Sequence, residues 1–596
     1  MQALTPLPVA LPLAVAALLL IVGHILPRNG ADIIAMLTAA AAGLIAVLLA
    51  MAASEAPFAY WFGGWQPRDG VAIGITFVVD PAGAGCAAFA ALLFFASFIF
   101  SWGYFDEVHA RYHALMLIFQ GALAGFAMTG DLFNFFVFFE LMSTVVFALT
   151  GYRLESSALE GALNFTVTNA VGSFMMLAGI GTLYGRTGAL NFAQLGRALA
   201  GLPPDGLLAL AVALIFGALF IKGAIVPFHF WIADAHSVAP SPVCAIFSGI
   251  MVPIALFGAA RLYWSVFAGS GLDQAPLRPL LVWFGTATAL VGGFTAFMQR
   301  DVKRLLAMST VSHMGVLLVG IGLLSSEALA GTMLYLLGHG LAKAGLFLIG
   351  GILLSQCAGI DEIKLRGAGK EFPVTGAFYA LGGLIMAGLP VGLEHQGDHL
   401  IDEAISATGL AFLPPLLSIA NGLTGAGILR GAGRIFLGLG PEPGEEALSP
   451  TEEEREKQDR PVWLMLLPVV ALIGTALALQ AVPAEEAARQ AAAMFAATGD
   501  LAAAVLDQAA WQPVAAAPAP SSASPIEPAI GLAVAIGLAA FELGRDHLPR
   551  RLVRAADRAT APLFIGLDRL HDGVVGDYVA WTVFGAIALG VVIAIG

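Results

Sequence analysis

Residues 216–236 read FGALFIKGAIVPFHFWIADAH, and this stretch decides the fold. Lys222 lies in the middle of an apolar run, and Pro227 follows five residues later. A proline inside a helix removes a backbone donor and clashes with the preceding turn, so we expect the helix to break there. An ionisable side chain at membrane depth costs roughly 2.5–3.5 kcal/mol on insertion and marks an ion path. The stretch therefore predicts a broken membrane helix whose buried lysine lies beside a route for protons or cations. The alternative, a lysine that snorkels to the interface, does not fit a position so far from either flanking loop.

The composition is that of an integral membrane protein. Of 596 residues, 59% are hydrophobic and only 12% are charged, whereas ordinary globular domains carry about 25% charged residues. The 70 glycines suit membrane helices that pack closely. Much of the net charge of −13 falls in residues 441–458, so it indicates no nucleic-acid partner. We predict an all-α integral membrane protein.

Apolar stretches of about 20 residues, the length that spans a bilayer, divide the chain into about sixteen transmembrane helices. The two sets of five helices at 112–264 and 277–438 look like repeats, because the fourth member of each is interrupted. Paired broken helices indicate an inverted-repeat transporter. The predicted division is 1–110 for three helices, 111–265 for the first repeat with its broken helix at 206–232, 276–438 for the second repeat with its broken helix at 374–400, 439–460 for a charged cytoplasmic loop, 461–482 for a further helix, 483–524 for a linker, and 525–596 for a two-helix extension with an amphipathic segment.

The placement of lysine and arginine predicts the topology. If the N-terminus lies outside, 20 of the 28 basic residues fall in inside loops and 6 in outside segments, as the positive-inside rule requires. Both termini are therefore expected on the outer, periplasmic side of a bacterial inner membrane. The arginine-rich stretch 545–572 suits an amphipathic helix on the anionic inner surface or a partner-binding helix. We expect the C-terminal extension to anchor a partner and to lie outside the ion path.

In the first repeat, Glu140 lies in an apolar helix that has no other charge. Its cheapest burial is opposite a positive partner, so we predict a pair with Lys222; the alternative is a carboxylate that caps a helix end. His229 and His236 follow the helix break, with Asp234 between them, and we expect both histidines to take part in proton translocation. No third ligand lies at a useful spacing, so we expect no metal site there.

In the second repeat, ionisable residues recur through successive apolar helices. His339 lies one turn before Lys343 on the same helical face, His313 lies in an earlier helix, and Asp398 and His399 lie in the interrupted helix. Each of these groups can exchange protons near neutral pH when its neighbours shift its pKa, so the series predicts a proton relay. Any one of these histidines could instead be a satisfied core residue. We expect Glu394 to matter less than Asp398.

Cofactor signatures are absent from the sequence. The cysteines at 86, 244 and 357 lie in or beside apolar segments without metal-ligand spacing, so we expect buried thiols and no disulfide framework or iron–sulfur site. Neither a phosphate-binding glycine loop with its lysine nor a dinucleotide fingerprint is present. We expect no cofactor and a transporter subunit rather than an enzyme.

Three motifs carry a family resemblance: IKGAIVPFHFWIADAHSVAPSPVCAIFSGIMV, RDVKRLLAMSTVSHMG and GHGLAKAGLFLIGG. They resemble the antiporter-like subunits of respiratory complex I, Mrp cation/proton antiporters and membrane-bound hydrogenases, over roughly residues 75–440. The resemblance implies fourteen core helices, a central water-filled axis of charged residues, and a place in a multi-subunit complex. It matches Glu140 to the family's key glutamate and Lys222 to its partner lysine. His339 and Lys343 fall in the second-repeat motif.

The sequence departs from the family pattern at two places. Many members have a lysine where Pro253 stands here, and the second broken helix reads VGLEHQGDHLIDE in place of an apolar, glycine-rich stretch. Asp398 occupies the position where members place a lysine or glutamate. These departures leave open an altered or partly structural subunit.

The size and the tail of the chain favour a protein like the D-type subunit of Mrp antiporters, which would take part in exchange of Na+ or K+ for protons. Its expected partners are the other subunits of such a complex and the lipid bilayer. The first alternative is a proton-pumping subunit of a complex I-like or hydrogenase complex, and the second is a largely structural subunit that docks other components.

Overall fold

The computed structural model describes the chain except for residues 28, 106–109, 272–276, 443–460, 508, 510, 512–525, 571–573 and 596. The described part is mostly helical, and twelve of its helices are long and apolar enough to cross a membrane. The all-α multi-pass fold is thus confirmed, while the count of sixteen spans stays a prediction. Most of the predicted charged loop at 439–460 and the proline-rich end of the predicted linker lie outside the described residues.

Three N-terminal helices precede the repeats. They are α1 (Leu7–Val22), α2 (Gly30–Glu55) and α3 (Pro81–Tyr104). A two-stranded antiparallel sheet, β1 (Phe58–Trp61) with β2 (Thr76–Val79), lies between α2 and α3 and pairs Phe58 with Val79. The prediction of helices alone missed this hairpin. Helix α3 begins only after this hairpin, behind Asp80, whose carboxylate accepts from the backbone N–H of Gly83.

The first repeat comprises α4 (Ala110–Met128), α5 (Leu132–Thr150), α6 (Ser156–Thr187), the short α7 (Phe192–Ala200), α8 (Gly206–Lys222), α9 (Trp231–Val238), α10 (Ser241–Ile246) and α11 (Val252–Leu262). A π-helical turn at Phe247–Met251 joins α10 to α11. The second repeat comprises α12 (Leu277–Met298), α13 (Val302–Gly322), α14 (Ser326–Cys357), α15 (Pro373–Met386), α16 (Leu393–Ser406) and α17 (Leu413–Ala432).

A backbone clasp, which is one long-range hydrogen bond between main-chain groups, occurs in both repeats. In the first, Leu132 N–H donates to the carbonyl of Leu190 at 2.8 Å; in the second, Val302 N–H donates to that of Ile360 at 3.1 Å. Both residues of the second clasp lie 170 positions after their counterparts, from 132 to 302 and from 190 to 360. The same clasp thus ties the second helix of each repeat to the segment after the third, and equivalent positions can be compared at this offset.

Both predicted broken helices are broken. The first is α8, which ends at Lys222, followed by α9 from Trp231, and the Val226–Pro227 peptide between them is cis. The second is α15, which ends at Met386, followed by α16 from Leu393. Gly388 and Gly392, in the second break, have φ of +90° and +96°, a backbone region that glycine adopts without strain. The predicted spans at 206–232 and 374–400 were therefore too short, since their second halves run on to Val238 and Ser406.

The C-terminal part adds α18 (Val462–Ala478), α19 (Ala484–Ala496), α20 (Thr498–Leu506), α21 (Ile526–Leu543), α22 (Arg550–Leu570) and α23 (Val575–Ile595). The described part of the predicted linker is largely helical and is held to the core. Arg489 of α19 pairs with Glu327 at the start of α14, and Phe495 packs its ring 4.0 Å from the guanidinium carbon of Arg261, which itself pairs with Asp80.

Candidate functional site

Lys222 is the first fully buried ionisable residue, in chain order, of the candidate proton path. It ends α8, has no exposed surface, and its ammonium donates to Ser143 Oγ of α5 at 2.6 Å. The ammonium also lies 4.8 Å from the centre of the Phe139 ring, where a cation is attracted by the face of the ring. The break after α8 therefore ends the helix at a lysine held by one hydroxyl and aromatic faces.

Glu140 and Lys222, predicted as a charge pair, are each held by a serine hydroxyl and form no hydrogen bond with each other. The Glu140 carboxylate, on α5, accepts instead from the Ser173 hydroxyl of α6. Lys222 donates to Ser143, three residues further along α5 than Glu140. The glutamate charge still acts on the lysine through space. Sequence reasoning missed both serines, although Ser143 lies at a spacing that puts it on the same face of α5 as Glu140.

His236 links the two repeats. Its Nδ1 lies 2.9 Å from the carbonyl of Ile232, and its Nε2 lies 2.8 Å from Ser248 Oγ in the π-helical turn. Thr310 of α13 donates to the same Ser248 hydroxyl at 3.1 Å. A hydrogen-bonded chain thus runs from the first broken helix into the second repeat. Pro253, where many family members have lysine, lies at the start of α11 directly after this turn, so the polar link here is the Ser248 hydroxyl.

An aromatic wall lies between Lys222 and His236. The Phe165 and Trp231 rings stack at 4.3 Å and 8°. Lys222 faces Phe165 on one side, and His236 lies against Phe247 on the other. The Trp231 indole N–H donates to the Ile221 carbonyl at 2.8 Å, and the same carbonyl accepts from the backbone N–H of Ala224 at 3.1 Å. These rings separate the lysine from the histidine and mark the least polar step of the path.

His229 and Asp234 lie around the first break, away from the His236–Ser248 contact. His229 is buried beside Phe230. The Asp234 carboxylate accepts from Asn164 Nδ2 at 3.3 Å and from the Tyr578 hydroxyl at 3.2 Å. Among the described residues, these two and His236 form no group with metal-ligand spacing.

Lys303 is buried and has a structural position. Its ammonium donates to the carbonyls of Ser237 and Ala239, at 2.7 and 2.9 Å. The Ser237 carbonyl lies in the last turn of α9 and the Ala239 carbonyl at its C-cap, where a positive charge offsets the negative end of the helix dipole. The lysine thus fixes the end of the helix that carries His236.

A buried cluster in the second repeat joins α13, α14 and α16. Lys343 donates to Ser309 Oγ at 2.6 Å. One turn earlier, the His339 ring lies 4.9 Å from the His313 ring, centre to centre. His313 Nδ1 lies 2.7 Å from the Tyr335 hydroxyl and 3.4 Å from Glu394 Oε1. Apart from Ser309 and Tyr335, each of these groups can carry a charge near neutral pH when its neighbours assist it, and all of them are buried.

The structure brings Glu394, not Asp398, against His313. Glu394 is the second residue of α16, and Asp398 lies one turn further along. His399, next to Asp398, is only half-buried. Sequence reasoning ranked Glu394 below Asp398 because it relied on the family's titratable position; the length of the break, 387–392, sets which face of α16 meets α13, and that rotation is not readable from the sequence.

Equivalent positions in the two repeats carry different polar residues: two serines of the first repeat correspond to a histidine and a lysine of the second. Ser143, which holds Lys222, corresponds to His313 at the 170-residue offset, and Ser173, which holds Glu140, corresponds to Lys343. The first repeat thus places its lysine on the broken helix and its glutamate on the second helix of the repeat. The second repeat places its glutamate on the broken helix and its lysine on the third helix. Both arrangements place one buried lysine and one acidic group near a helix break; the acidic group is buried in the second repeat and half-buried in the first.

The ligand atoms of His313, His339 and Glu394 lie within 4.8 Å of one another. Among the residues that the structure describes, these three could therefore hold a metal ion. Lys343 lies one turn from His339 on α14 and places a positive charge at the same cluster. A second cation would be repelled there, so the arrangement suits protons better than a metal.

On the face predicted to be inside, Glu362 anchors the loop between α14 and α15. Its carboxylate pairs with Arg430 at 2.8 Å and with Arg434. Burial raises the pKa of the Glu362 carboxyl, and the two guanidiniums act in the opposite direction. This cluster belongs to the loop and lies apart from the polar chain.

Comparisons with known proteins place the sequence among membrane subunits. Residues 129–424 match the family described as NADH:quinone oxidoreductase/Mrp antiporter, TM. The N-type subunit of the NADH-quinone oxidoreductase of Desulforudis audaxviator is 31% identical over 467 residues, 77% of this chain and 91% of that protein. The D-type subunit of the Na(+)/H(+) antiporter of Bacillus subtilis is 26% identical over 322 residues, 54% of this chain and 64% of that protein.

The fold matches a chain of an archaeal respiratory membrane complex, the membrane-bound sulfane sulfur reductase, with a TM-score of 0.75. The identity is 24%, and the match covers 85% of this chain and all of that one. At this identity the likeness is one of fold.

Proposed function

The chain belongs to the antiporter-like membrane subunits that Mrp antiporters and NADH:quinone oxidoreductases share, and from this premise we propose that it conducts protons along its buried polar chain. The observation that carries the proposal is the series Lys222, His236, Lys343 and Glu394, each buried in or beside a membrane helix and each next to a hydroxyl or an imidazole. Charged groups are expensive inside a membrane, so a series of them indicates transport rather than packing.

Each kind of residue in the series has its own part in proton transfer. A lysine ammonium held by a single serine can give up its proton, because the serine oxygen accepts a hydrogen bond from either form of the amine. His236 and His313 offer one donor and one acceptor each when neutral, so each can take a proton at one nitrogen and release it at the other. Glu394, against His313, supplies a carboxylate that can receive that proton.

A neighbouring subunit is part of this proposal. The Glu140 carboxylate is half-buried on the side of the bundle, and Phe133, Val137 and Phe174 beside it are 47%, 42% and 74% exposed. A carboxylate that faces lipid is costly, whereas an apolar, aromatic surface around it suits contact with another membrane protein. We therefore place a partner subunit over α5 and α6.

Two kinds of complex are candidates for the assembly that contains this chain. Exchange of Na+ or K+ for protons in an Mrp-type complex is supported by the likeness to the D-type antiporter protein. Redox-driven pumping is the second candidate, because the N-type relative from an NADH-quinone oxidoreductase is matched over 91% of its length. In either case this chain's part is ion conduction.

The test uses inverted membrane vesicles that contain the complete complex. Proton movement is followed with a pH-sensitive dye after a pulse of Na+, of K+, or of NADH with a quinone. A response to Na+ or K+ alone supports exchange, and a response to NADH alone supports pumping. No response to any driver, with the complex present at normal amount, would contradict proton conduction.

A further inference from the structure

The C-terminal extension, α21 to α23, places one membrane helix against each helix break. A Cβ added to Gly531 of α21 would lie 2.3 Å from the carbonyl oxygen of Ala387, in the second break. A Cβ added to Gly585 of α23 would lie 2.7 Å from the Phe228 ring, in the first break. Both glycines permit contacts that a larger residue would block. The extension is thus fitted to the two points where the core helices are interrupted.

Each of these two helices also brings a polar side chain to a carboxylate of the core. On α23, the Tyr578 hydroxyl donates to Asp234 at 3.2 Å, and the Tyr578 ring stacks on Phe230 at 5.2 Å. On α21, Glu527 lies one turn before Gly531 and therefore on the same helical face. Gly531 lies against Ala387, in the break that precedes α16, so this face of α21 is turned toward α16, and the Glu527 charge acts through space on Asp398 and Asp402.

Three carboxylates lie on one face of α16. Glu394, Asp398 and Asp402 are spaced by four residues, so they lie above one another on successive turns. Glu394 faces the His313 cluster at the helix break. The row leads from there toward the end of α16 at Ser406, which the charge distribution predicts to be on the outer side.

Asp398 has an unusual environment for a buried carboxylate. It is 91% buried, as its exposure of 9% indicates, yet it accepts no hydrogen bond and forms no ion pair with any residue that the structure describes. Asn421 Oδ1, also buried, lacks a hydrogen-bond donor among the same residues. Buried polar atoms normally have partners, so the Asn421 oxygen is open to a mobile one.

We propose that Glu527 completes an exit cluster with Asp398 and Asp402, which holds an exchangeable proton between the His313 cluster and the predicted outer face. The step is a transfer from the imidazole and carboxyl groups around His313 to a carboxylate of the exit cluster, and from there to water. Three neighbouring carboxylates repel one another, and one shared proton relieves that repulsion. No arginine or lysine among the described residues pairs with these three carboxylates, so no fixed cation competes with the proton.

This inference rests on the proposed function and assigns to the extension a part of the path. It departs from the sequence-based expectation that the extension only anchors a partner. The expectation is revised because α21 supplies a charged group, Glu527, to the row of carboxylates on α16. Helix α21 lies outside residues 129–424, which match the family. Glu527 is a positioning and exit residue for the proton.

The experiment compares three variants in inverted vesicles that contain the complete complex. Glu527→Gln is expected to lower driven proton movement at least five-fold, and Glu527→Asp, which keeps the carboxylate, is expected to restore at least half of it. Glu542→Gln is the matched control, because Glu542 lies at the other end of α21 and pairs with Arg545; it is expected to transport normally. Wild-type transport by Glu527→Gln at normal protein level would overturn the proposal.

A second measurement uses the wild-type chain, so it tests the proposal even if the Glu527 variants fail to assemble into the complex. Dicyclohexylcarbodiimide adds to protonated carboxyl groups in apolar surroundings, and mass spectrometry of the wild-type chain locates the adduct. We expect labelling of at least one carboxyl of the exit cluster together with loss of transport; an unlabelled cluster would overturn the proposal. Lys343→Met in the same assay separates the two ideas. If it abolishes transport while Glu527→Gln does not, only the exit cluster is wrong, and if neither variant affects transport, the proposed function fails as well.

Discussion

The Lys222 ammonium lies 2.6 Å from Ser143 Oγ. This contact is made at the point where α8 ends, and it uses a neutral hydroxyl where the sequence predicted the Glu140 carboxylate. A neutral partner holds a buried ammonium without cancelling its charge, so the lysine can release its proton without breaking an ion pair.

Ser143→Ala is therefore expected to slow proton movement by about ten-fold. A hydrogen bond to a charged group contributes roughly 1.5–3 kcal/mol, and about 1.4 kcal/mol corresponds to a ten-fold change in rate. Dye quenching in vesicles measures the rate. Ser418→Ala is the control, because the Ser418 hydroxyl donates only to the Pro414 carbonyl of its own helix. Equal rates for the two variants would show that the Ser143 contact has no part in transport.

Glu394→Gln is expected to abolish proton movement, and Asp398→Asn is expected to reduce it less. Glu394 lies 3.4 Å from His313, inside the cluster, whereas Asp398 lies one turn beyond it and shares its part with Asp402 and Glu527. Both substitutions keep the size of the side chain. Transport rates corrected for protein level decide the order, and a larger loss in Asp398→Asn would restore the ranking that the sequence suggested.

The main features of this site could be predicted from the sequence because they carry a large energetic cost. A lysine within an apolar run and a proline five residues later have few structural solutions in a membrane, so Lys222 and the first break were predictable. Lys343, His339 and His313 followed for the same reason, since three ionisable groups in successive apolar helices need one another.

Other features depend on geometry that the sequence does not encode locally. Serine occurs throughout membrane helices, so spacing on a helix face was not enough to single out Ser143, Ser248 or Ser309 before the helices were placed. The contact of Glu394 depends on how six residues of the second break, 387–392, rotate α16. The hairpin of β1 and β2 is short, and its apolar residues also suit the start of a membrane helix.

Lys303→Met is expected to lower stability without removing any group of the polar chain. The variant removes the ammonium donor from the carbonyls of Ser237 and Ala239, of which Ala239 keeps the Cys244 thiol as a donor, and a buried acceptor that loses its partner costs about 1–3 kcal/mol. The purified complex should therefore unfold at a lower temperature, as followed by tryptophan fluorescence. Lys370→Met, at an exposed site, is the control, and an unchanged melting temperature for Lys303→Met would argue against its part in holding α9.

The central claim is that protons pass through the buried polar chain of this subunit. Proton movement in inverted vesicles that contain the complete complex, with Lys343→Met compared to wild type at equal protein level, tests it most directly. Lys343 has no exposed surface and is held by Ser309, and methionine fills a similar volume without a proton to transfer. Driven proton movement is expected to fall to the level of vesicles without the complex, and a wild-type rate in Lys343→Met would contradict proton conduction through this chain.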